Sequence, residues 1–347
     1  MTKRRPALSV VVPCYGEEEV LPAFHARLAA AMQGIGLPWE VVYVNDGSRD
    51  GTLAVMRGLA ADDARVAVLN LSRNFGKEIA LTAGLDHAAG EEAVVVIDAD
   101  LQDPPEVIPA LVAAWRGGYD IAYAQRSARH GEGWLKKATA AGFYRLMQRV
   151  GGRVALPQDT GDFRLMSRRA LDALLQLREQ HRFMKGLFAW VGFPAVAVPY
   201  ERAPRAAGET KWNWWKLWNL SLEGITSFTV GPLKVASYLG LVTGVISAIY
   251  LVQLVVRTVF FGNPVAGYPS LMAVVLLLGG VQLMTLGIIG EYLGRIFNET
   301  KGRPLYIVER HSPARGAGEG ANGETGEQVA DLGAAGRPRV LAGQDQA

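Results

Sequence analysis

The chain has 347 residues, enough for one α/β domain of ordinary size plus something smaller. With 36 Lys and Arg against 33 Asp and Glu the net charge is only +3, and no basic run is interleaved with base-stacking aromatics, so nucleic acid is not expected as a partner. A single cysteine, Cys14, excludes an internal disulfide framework and a multi-cysteine metal site.

The basic N-terminus, Met1-Thr2-Lys3-Arg4-Arg5-Pro6, leads into a short β-branched run that is too brief for a signal-peptide core. Residues 1–210 are therefore expected to stay in the cytoplasm as one domain. Up to residue 123, short apolar runs at 8–12, 40–44, 66–69, 93–97 and 121–123 alternate with helical stretches at 20–32, 51–61, 77–88 and 105–115. Alternation of this kind predicts an α/β fold with a doubly wound, mainly parallel sheet. No Gly-x-Gly-x-x-Gly follows the first strand and there is no Walker loop, which counts against a dinucleotide fold.

The strand ends carry the chemistry. Pro13-Cys14-Tyr15-Gly16-Glu17 opens after the first predicted strand, and Asn45-Asp46-Gly47-Ser48 after the second. Both read equally as turn and capping chemistry. Arg73-Asn74-Phe75-Gly76-Lys77 follows the third and brings cations. The fourth, Val94-Val95-Val96-Ile97, ends in Asp98-Ala99-Asp100-Leu101-Gln102. Residues i and i+2 of an extended chain point the same way, so Asp98 and Asp100 are expected to converge at the carboxyl end of a strand, where open α/β sheets place their ligands. Two hard oxygen ligands there would leave most of an Mg²⁺ or Mn²⁺ shell for water and phosphate, which suits a nucleotide diphosphate.

Residues 124–210 are less regular and rich in Arg and Lys, among them Arg126, Lys136 and Lys137. Gly161-Asp162-Phe163-Arg164 sets a carboxylate beside an arginine. Arg202 and Arg205 then precede Lys211-Trp212-Asn213-Trp214-Trp215-Lys216-Leu217-Trp218, whose rings and ammonium groups fit a segment lying in the headgroup layer, taken as 211–231. Within 232–296 two apolar stretches, at about 235–260 and 268–291, are each long enough to cross roughly 30 Å of hydrocarbon. The breaker-rich turn between them makes a hairpin, and Lys and Arg flank its outer ends, so both ends are placed in the cytoplasm. Residues 297–347 form a C-terminal segment expected to be disordered after about 312, where Gly, Ala, Glu and Gln dominate.

Taken together these segments resemble the family 2 glycosyltransferases of the GT-A fold, in the branch of polyprenyl-phosphate glycosyltransferases that includes bactoprenol (undecaprenyl-phosphate) glucosyltransferases and dolichol-phosphate mannose synthases. The likeness runs from residue 8 to 308 and rests on Arg73-Asn74-Phe75-Gly76-Lys77-Glu78, Asp98-Ala99-Asp100-Leu101-Gln102-Asp103-Pro104, Gly161-Asp162-Phe163-Arg164-Leu165, Phe261-Gly262-Asn263-Pro264 and Gly290-Glu291-Tyr292-Leu293-Gly294-Arg295. It implies inverting transfer of a hexose, first of all glucose from UDP-glucose, to undecaprenyl phosphate at a bacterial inner membrane. Other UDP-hexoses or GDP-mannose stand behind UDP-glucose, and a non-catalytic membrane scaffold that binds sugar nucleotides is the rival reading. The resemblance places Pro13, Tyr15, Glu17 and Asp46 in the nucleotide pocket, with Lys77 beside the donor. Asp98, Asp100 and Gln102 would lie around the divalent metal and diphosphate. Asp100 and Asp162 would be catalytic, and Arg126, Lys136, Arg205 and Lys211 would meet the lipid phosphate. A homo-oligomer is implied as well. Two positions depart from the family pattern: Gly16 stands where Asn is usual, and Asn45 where a second Asp is frequent.

Overall fold

The computed structural model describes residues 5–126, 160–180, 182–201, 231–261 and 267–315. Strand β1 (Leu8–Cys14) is followed by helix α1 (Leu21–Gln33), β2 (Trp39–Asn45), α2 (Thr52–Asp62), β3 (Val66–Leu71), α3 (Lys77–Asp86), β4 (Ala93–Val96) and α4 (Ile108–Arg116). The chain continues through β5 (Ile121–Arg126), β6 (Thr160–Ser167), α5 (Arg168–Leu175), α6 (Met184–Trp190) and β7 (Ala195–Tyr200). Two long helices, α7 (Gly231–Phe261) and α8 (Tyr268–Thr300), precede a last strand, β8 (Val308–Ser312).

All eight strands form one sheet in the order β7-β5-β6-β4-β1-β2-β3-β8. Strand β1 pairs in parallel with β2 and β4, and β2 with β3, each step crossed over by a helix. Strand β6 runs antiparallel between β4 and β5, and β8 runs antiparallel along β3. The result is the α/β, mainly parallel sheet that the strand–helix alternation predicts, made mixed by β6 and β8.

Because side chains alternate along a strand, β1 feeds two separate cores. Val10 and Val12 pack with Phe24 and Leu28 of α1 on one face, while Val11 packs with Leu81 and Leu85 of α3 on the other. Each of these branched side chains is fully buried, a gain of roughly 1.5–3 kcal/mol apiece. Helix α3 lies so close to the sheet that a Cβ on Gly84 would come within 2.4 Å of Val11 Cγ1 and 2.9 Å of Val44 Cγ2. Burial on both faces explains why β1 to β4 read as continuous apolar runs.

Two expectations change. Strand β4 ends at Val96, so the alternation invoked to aim Asp98 and Asp100 alike stops before either residue. Asp98 lies just past the strand and Asp100 in the turn that follows, next to Leu101, which takes φ 58°, alone among described non-glycine residues in the left-handed region. The segment after α8 also returns to the sheet as β8, where no strand was expected.

Helices α7 and α8 pack against each other. By length and composition Leu277–Thr300, 24 residues, can cross a membrane, and none of its apolar window is buried. Among the described residues this is the one stretch that meets that standard. Leu241, Ile246 and Ile249 of α7 also face outward. The Trp-rich segment expected from residue 211 lies, up to residue 230, outside the described residues.

Candidate active site

The parallel register brings the ends of β1, β2 and β3 to one edge. Cys14 pairs with Asn45 and Asn45 with Asn70, so the loops that follow open side by side. Asp46 is buried just past β2. Its Oδ1 accepts from Phe75 N at 2.7 Å, its Oδ2 accepts from Gly76 N at 2.9 Å, and its carbonyl accepts from Asn74 Nδ2 at 3.1 Å. This carboxylate thus holds the β3–α3 loop in place. Burial pushes its carboxyl upward against the pull of those two N–H donors and of Arg73. Gly47 completes the junction: φ is +63°, and a Cβ there would lie 2.5 Å from the backbone of Arg73 and Asn74.

The anchored loop delivers Lys77 as the first residue of α3. Its Nζ reaches Asp98 Oδ2 at 2.6 Å and Asp162 Oδ2 at 2.8 Å. Asp162 comes from β6, which the antiparallel insertion lays directly beside β4. Burial alone would lower the Lys77 ammonium pKa, but the charges of Asp162 and Asp98 outweigh it and hold it well above the ordinary lysine value. Burial likewise opposes the charge on Asp162. Lys77, Lys185 and Arg164 overcome that opposition and keep its carboxyl well below the usual carboxylate range. Asp98, with less compensation, is pushed up by burial and by Asp162. The side chain of Asp162 is 7% exposed, and its Oδ1 is buried without a hydrogen-bond partner among the described residues. A charged, desolvated carboxylate oxygen with an open valence is costly unless a ligand takes it up.

Three further residues shape this corner: Arg164, read from the sequence only as an arginine beside Asp162, and Glu78 and Lys185, to which no role was given. Arg164 is buried, donates from Nη2 to Gly161 O at 2.9 Å and stacks 3.7 Å over the Phe188 ring. Glu78 accepts from Met184 N at 3.2 Å, and burial together with the Asp162 charge raises its carboxyl to about 7. Lys185 adds positive charge toward both acids.

Asp100 lies in the turn beyond Asp98, where its Oδ1 accepts from Gln102 N at 3.1 Å. The oxygen donors of Asp98, Asp100 and Gln102 suit a hard divalent cation. Among the described residues no group of three or more His, Cys, Asp or Glu side chains is gathered to hold a metal. A cation here would therefore draw the rest of its shell from water and a phosphate ligand, which is how Mg²⁺ is usually held. Past the turn, Asp103 is buried and accepts from the Tyr200 hydroxyl, which in turn accepts from Arg126 Nε at 3.4 Å. Arg126 at the end of β5 is thereby tied to the acidic turn. Neither Asp103 nor Tyr200 was foreseen. Asp103 was legible in the Asp98–Pro104 string, whereas β7 and its Tyr200 carried no signal.

Tyr15 is 44% exposed at the mouth of the β1 loop, with Pro13 and Glu17 half-buried beside it and Glu17 N donating to Thr52 Oγ1 at 2.9 Å. The structure thus gathers Lys77, Asp98 and Asp162 in direct contact, with Pro13, Tyr15, Glu17, Asp46, Asp100, Gln102 and Arg126 on the ends of adjoining strands. Lys136, Arg205 and Lys211 lie outside the described residues.

Comparison with known proteins bears on this edge. Residues 9–175 match the family described as Glycosyl transferase family 2, and residues 231–296 match the GtrB C-terminal hairpin. An uncharacterized glycosyltransferase of Synechocystis sp. is 52% identical over 301 residues, 87% of this chain and 94% of its own. A bactoprenol glucosyl transferase of Shigella phage SfII is 48% identical over 303 residues, 87% of this chain and 97% of its own. A prophage bactoprenol glucosyl transferase homolog of Escherichia coli K12 is 46% identical over 303 residues, with 87% and 98% covered.

Proposed function

The chain belongs to glycosyl transferase family 2, and from that premise we propose that it transfers a hexose, glucose from UDP-glucose, to undecaprenyl phosphate with inversion at the sugar carbon. The observation that carries the proposal is the cluster in which Lys77 bridges Asp98 and Asp162 while a buried oxygen of Asp162 keeps an open valence. Two of these relatives, which span nearly the same length, are by their names bactoprenol glucosyl transferases or homologs of them.

The acceptor sets what the protein must do. A phosphate monoester loses its second proton near pH 6, so it arrives largely as a dianion and needs no strong base. Positioning it, and stabilising the charge that builds on the departing diphosphate, remain as the protein's tasks. Pro13, Tyr15, Glu17 and Asp46 border the space for the nucleotide, and Lys77 faces the diphosphate. Asp98, Asp100 and Gln102 would hold Mg²⁺ or Mn²⁺, which when bound supplies Lewis-acid stabilisation to the leaving group. Asp162, kept ionised by its cationic neighbours, orients the acceptor or opposes positive charge on the sugar. Arg126, Lys136, Arg205 and Lys211 are assigned to the lipid phosphate. Helices α7 and α8 are taken as two spans that keep the domain at the inner face of a bacterial inner membrane, where the isoprenoid tail stays in lipid. The active form is taken as a homo-oligomer.

The test uses purified full-length protein, labelled UDP-glucose, undecaprenyl phosphate and Mg²⁺ or Mn²⁺. Label is expected to move into butanol-extractable lipid, to stay in water when the divalent ion is chelated, and to stay there with Asp100→Ala. Absence of transfer from every sugar nucleotide tried, or full activity of Asp100→Ala, overturns the reading.

A further inference from the structure

The strand that follows the long helices does more than cover an edge. In the β3–β8 ladder Asn70 faces Arg310 and Leu71 faces Val308, so Glu309 is the extra residue of a β-bulge. A bulge re-aims the side chain it carries. Here Glu309 Oε2 accepts from Asn70 Nδ2 at 2.7 Å. Asn70 Oδ1 accepts from Asn45 Nδ2 at 2.6 Å, and Asn45 Oδ1 accepts from Ser48 N at 3.2 Å. Ser48 Oγ then accepts from Gly16 N at 3.2 Å. Asn45 is 2% exposed and Asn70 is 6% exposed, so neither amide has water to fall back on.

The polarity of this chain is the same read from either end, because the Ser48 N–H at the inner end only donates. A carboxylate only accepts, so Asn70 must turn its NH₂ toward Glu309 and its oxygen toward Asn45. Asn45 must then give its NH₂ to Asn70, which leaves its oxygen for Ser48 N. We propose that Glu309 is a positioning residue for donor binding: it supplies the acceptor that completes the Asn70–Asn45 relay and so holds the loops at 45–48 and 15–17 that border the nucleotide. The proposal rests on the function inferred above, but it has a readout that does not depend on turnover.

The test is a polarity swap. Asn45→Asp cannot donate to Asn70 Oδ1, so with Glu309 present two carboxylates compete for one NH₂. Adding Glu309→Gln reverses the relay. The new amide at position 309 donates to Asn70 Oδ1, and Asn70 donates to the new carboxylate at position 45. That carboxylate still accepts from Ser48 N, so every group is satisfied. Donor KM is expected to rise about tenfold in N45D and to fall back to within about threefold of wild type in N45D/E309Q, with kcat little changed. Glu309→Leu, which leaves Asn70 Nδ2 without an acceptor, is expected to speed amide exchange in residues 45–51 while leaving 66–71 protected, because β3–β8 pairing is made by the backbone.

A double variant no better than N45D overturns the proposal. So does E309L exchange that is unchanged in 45–51, or that rises equally in 66–71. If wild type shows no transfer at all, the functional reading fails, and the exchange measurement still decides the relay.

Discussion

Asp162 and Glu78 show how one buried cluster sends neighbouring carboxylates in opposite directions. Both are desolvated, but Lys77 touches Asp162 and leaves Glu78 with a backbone N–H and a nearby negative charge. Desolvation then wins at Glu78, whose carboxyl rises to about 7 from an ordinary value of 4.5. A raised carboxylate means that between pH 4.5 and about 7 the folded chain binds a proton that the unfolded chain has released. Stability is therefore greatest below this window and falls as pH rises through it. The fall attributable to Glu78 is on the order of 3 kcal/mol. Glu78→Gln keeps an acceptor for Met184 N and removes the titration. Its melting temperature in detergent is expected to change less than that of wild type between about pH 5 and pH 8, and to exceed it at the upper end. A wild-type pH dependence retained in the variant would count against this account. None of this was visible in Lys77-Glu78 as a string, because the burial that matters is made by α6 and β6, about a hundred residues away in sequence.

At the scale of elements, the first half of the fold was legible because its strands are buried on both faces. Runs such as Val94-Val95-Val96 leave little alternative to a central parallel strand. Strands β6, β7 and β8 were not, since Thr160–Ser167 carries Asp162 and Arg164 in its interior and β8 reads Val-Glu-Arg-His-Ser. In β6 and β8 the pairing partners compensate for polar residues that periodicity alone would assign to loops. Among the candidate site residues, those on strand ends were found from their strands, whereas the tie from Asp103 through Tyr200 to Arg126 required β7. Helix α3 tests the packing side of this argument. Its closeness to β1 and β2 depends on Gly84, where a Cβ would meet two valine methyls in a core with no slack. Gly84→Ala gains about 1 kcal/mol of helix propensity, but it forces α3 off the sheet. A net loss of about 1–3 kcal/mol is expected from the overpacking. Because α3 begins at Lys77, donor KM should rise as well. A variant as stable and as active as wild type would show that α3 tolerates the shift.

For the whole molecule, the order of segments along the chain decides which pieces can stand alone. The apolar hairpin is not an appendage at the end of a finished domain, because the chain re-enters the sheet after it. Strand β8 caps the edge of β3, and Tyr306 Oη donates to Asp86 Oδ2 at 2.7 Å. Gln180 N donates to Glu299 Oε1 at 2.7 Å, which ties the foot of α8 to the same domain. A chain ended at residue 230 loses all of these together. It exposes the β3 edge, a template for intermolecular pairing, and leaves Asn70 without the acceptor of its NH₂. Such a truncated chain is expected to aggregate or to melt well below the full-length protein, and any soluble fraction should bind the donor nucleotide more weakly. Joining residues 303–315 back to the truncated chain through a flexible linker restores β8 without α7 and α8. That version is expected to recover most of the melting temperature and the nucleotide affinity while failing to act on lipid acceptor in vesicles. If the simple truncation is monomeric, equally stable and equally tight for nucleotide, then β8 contributes nothing to the donor side and the hairpin serves only to anchor the protein.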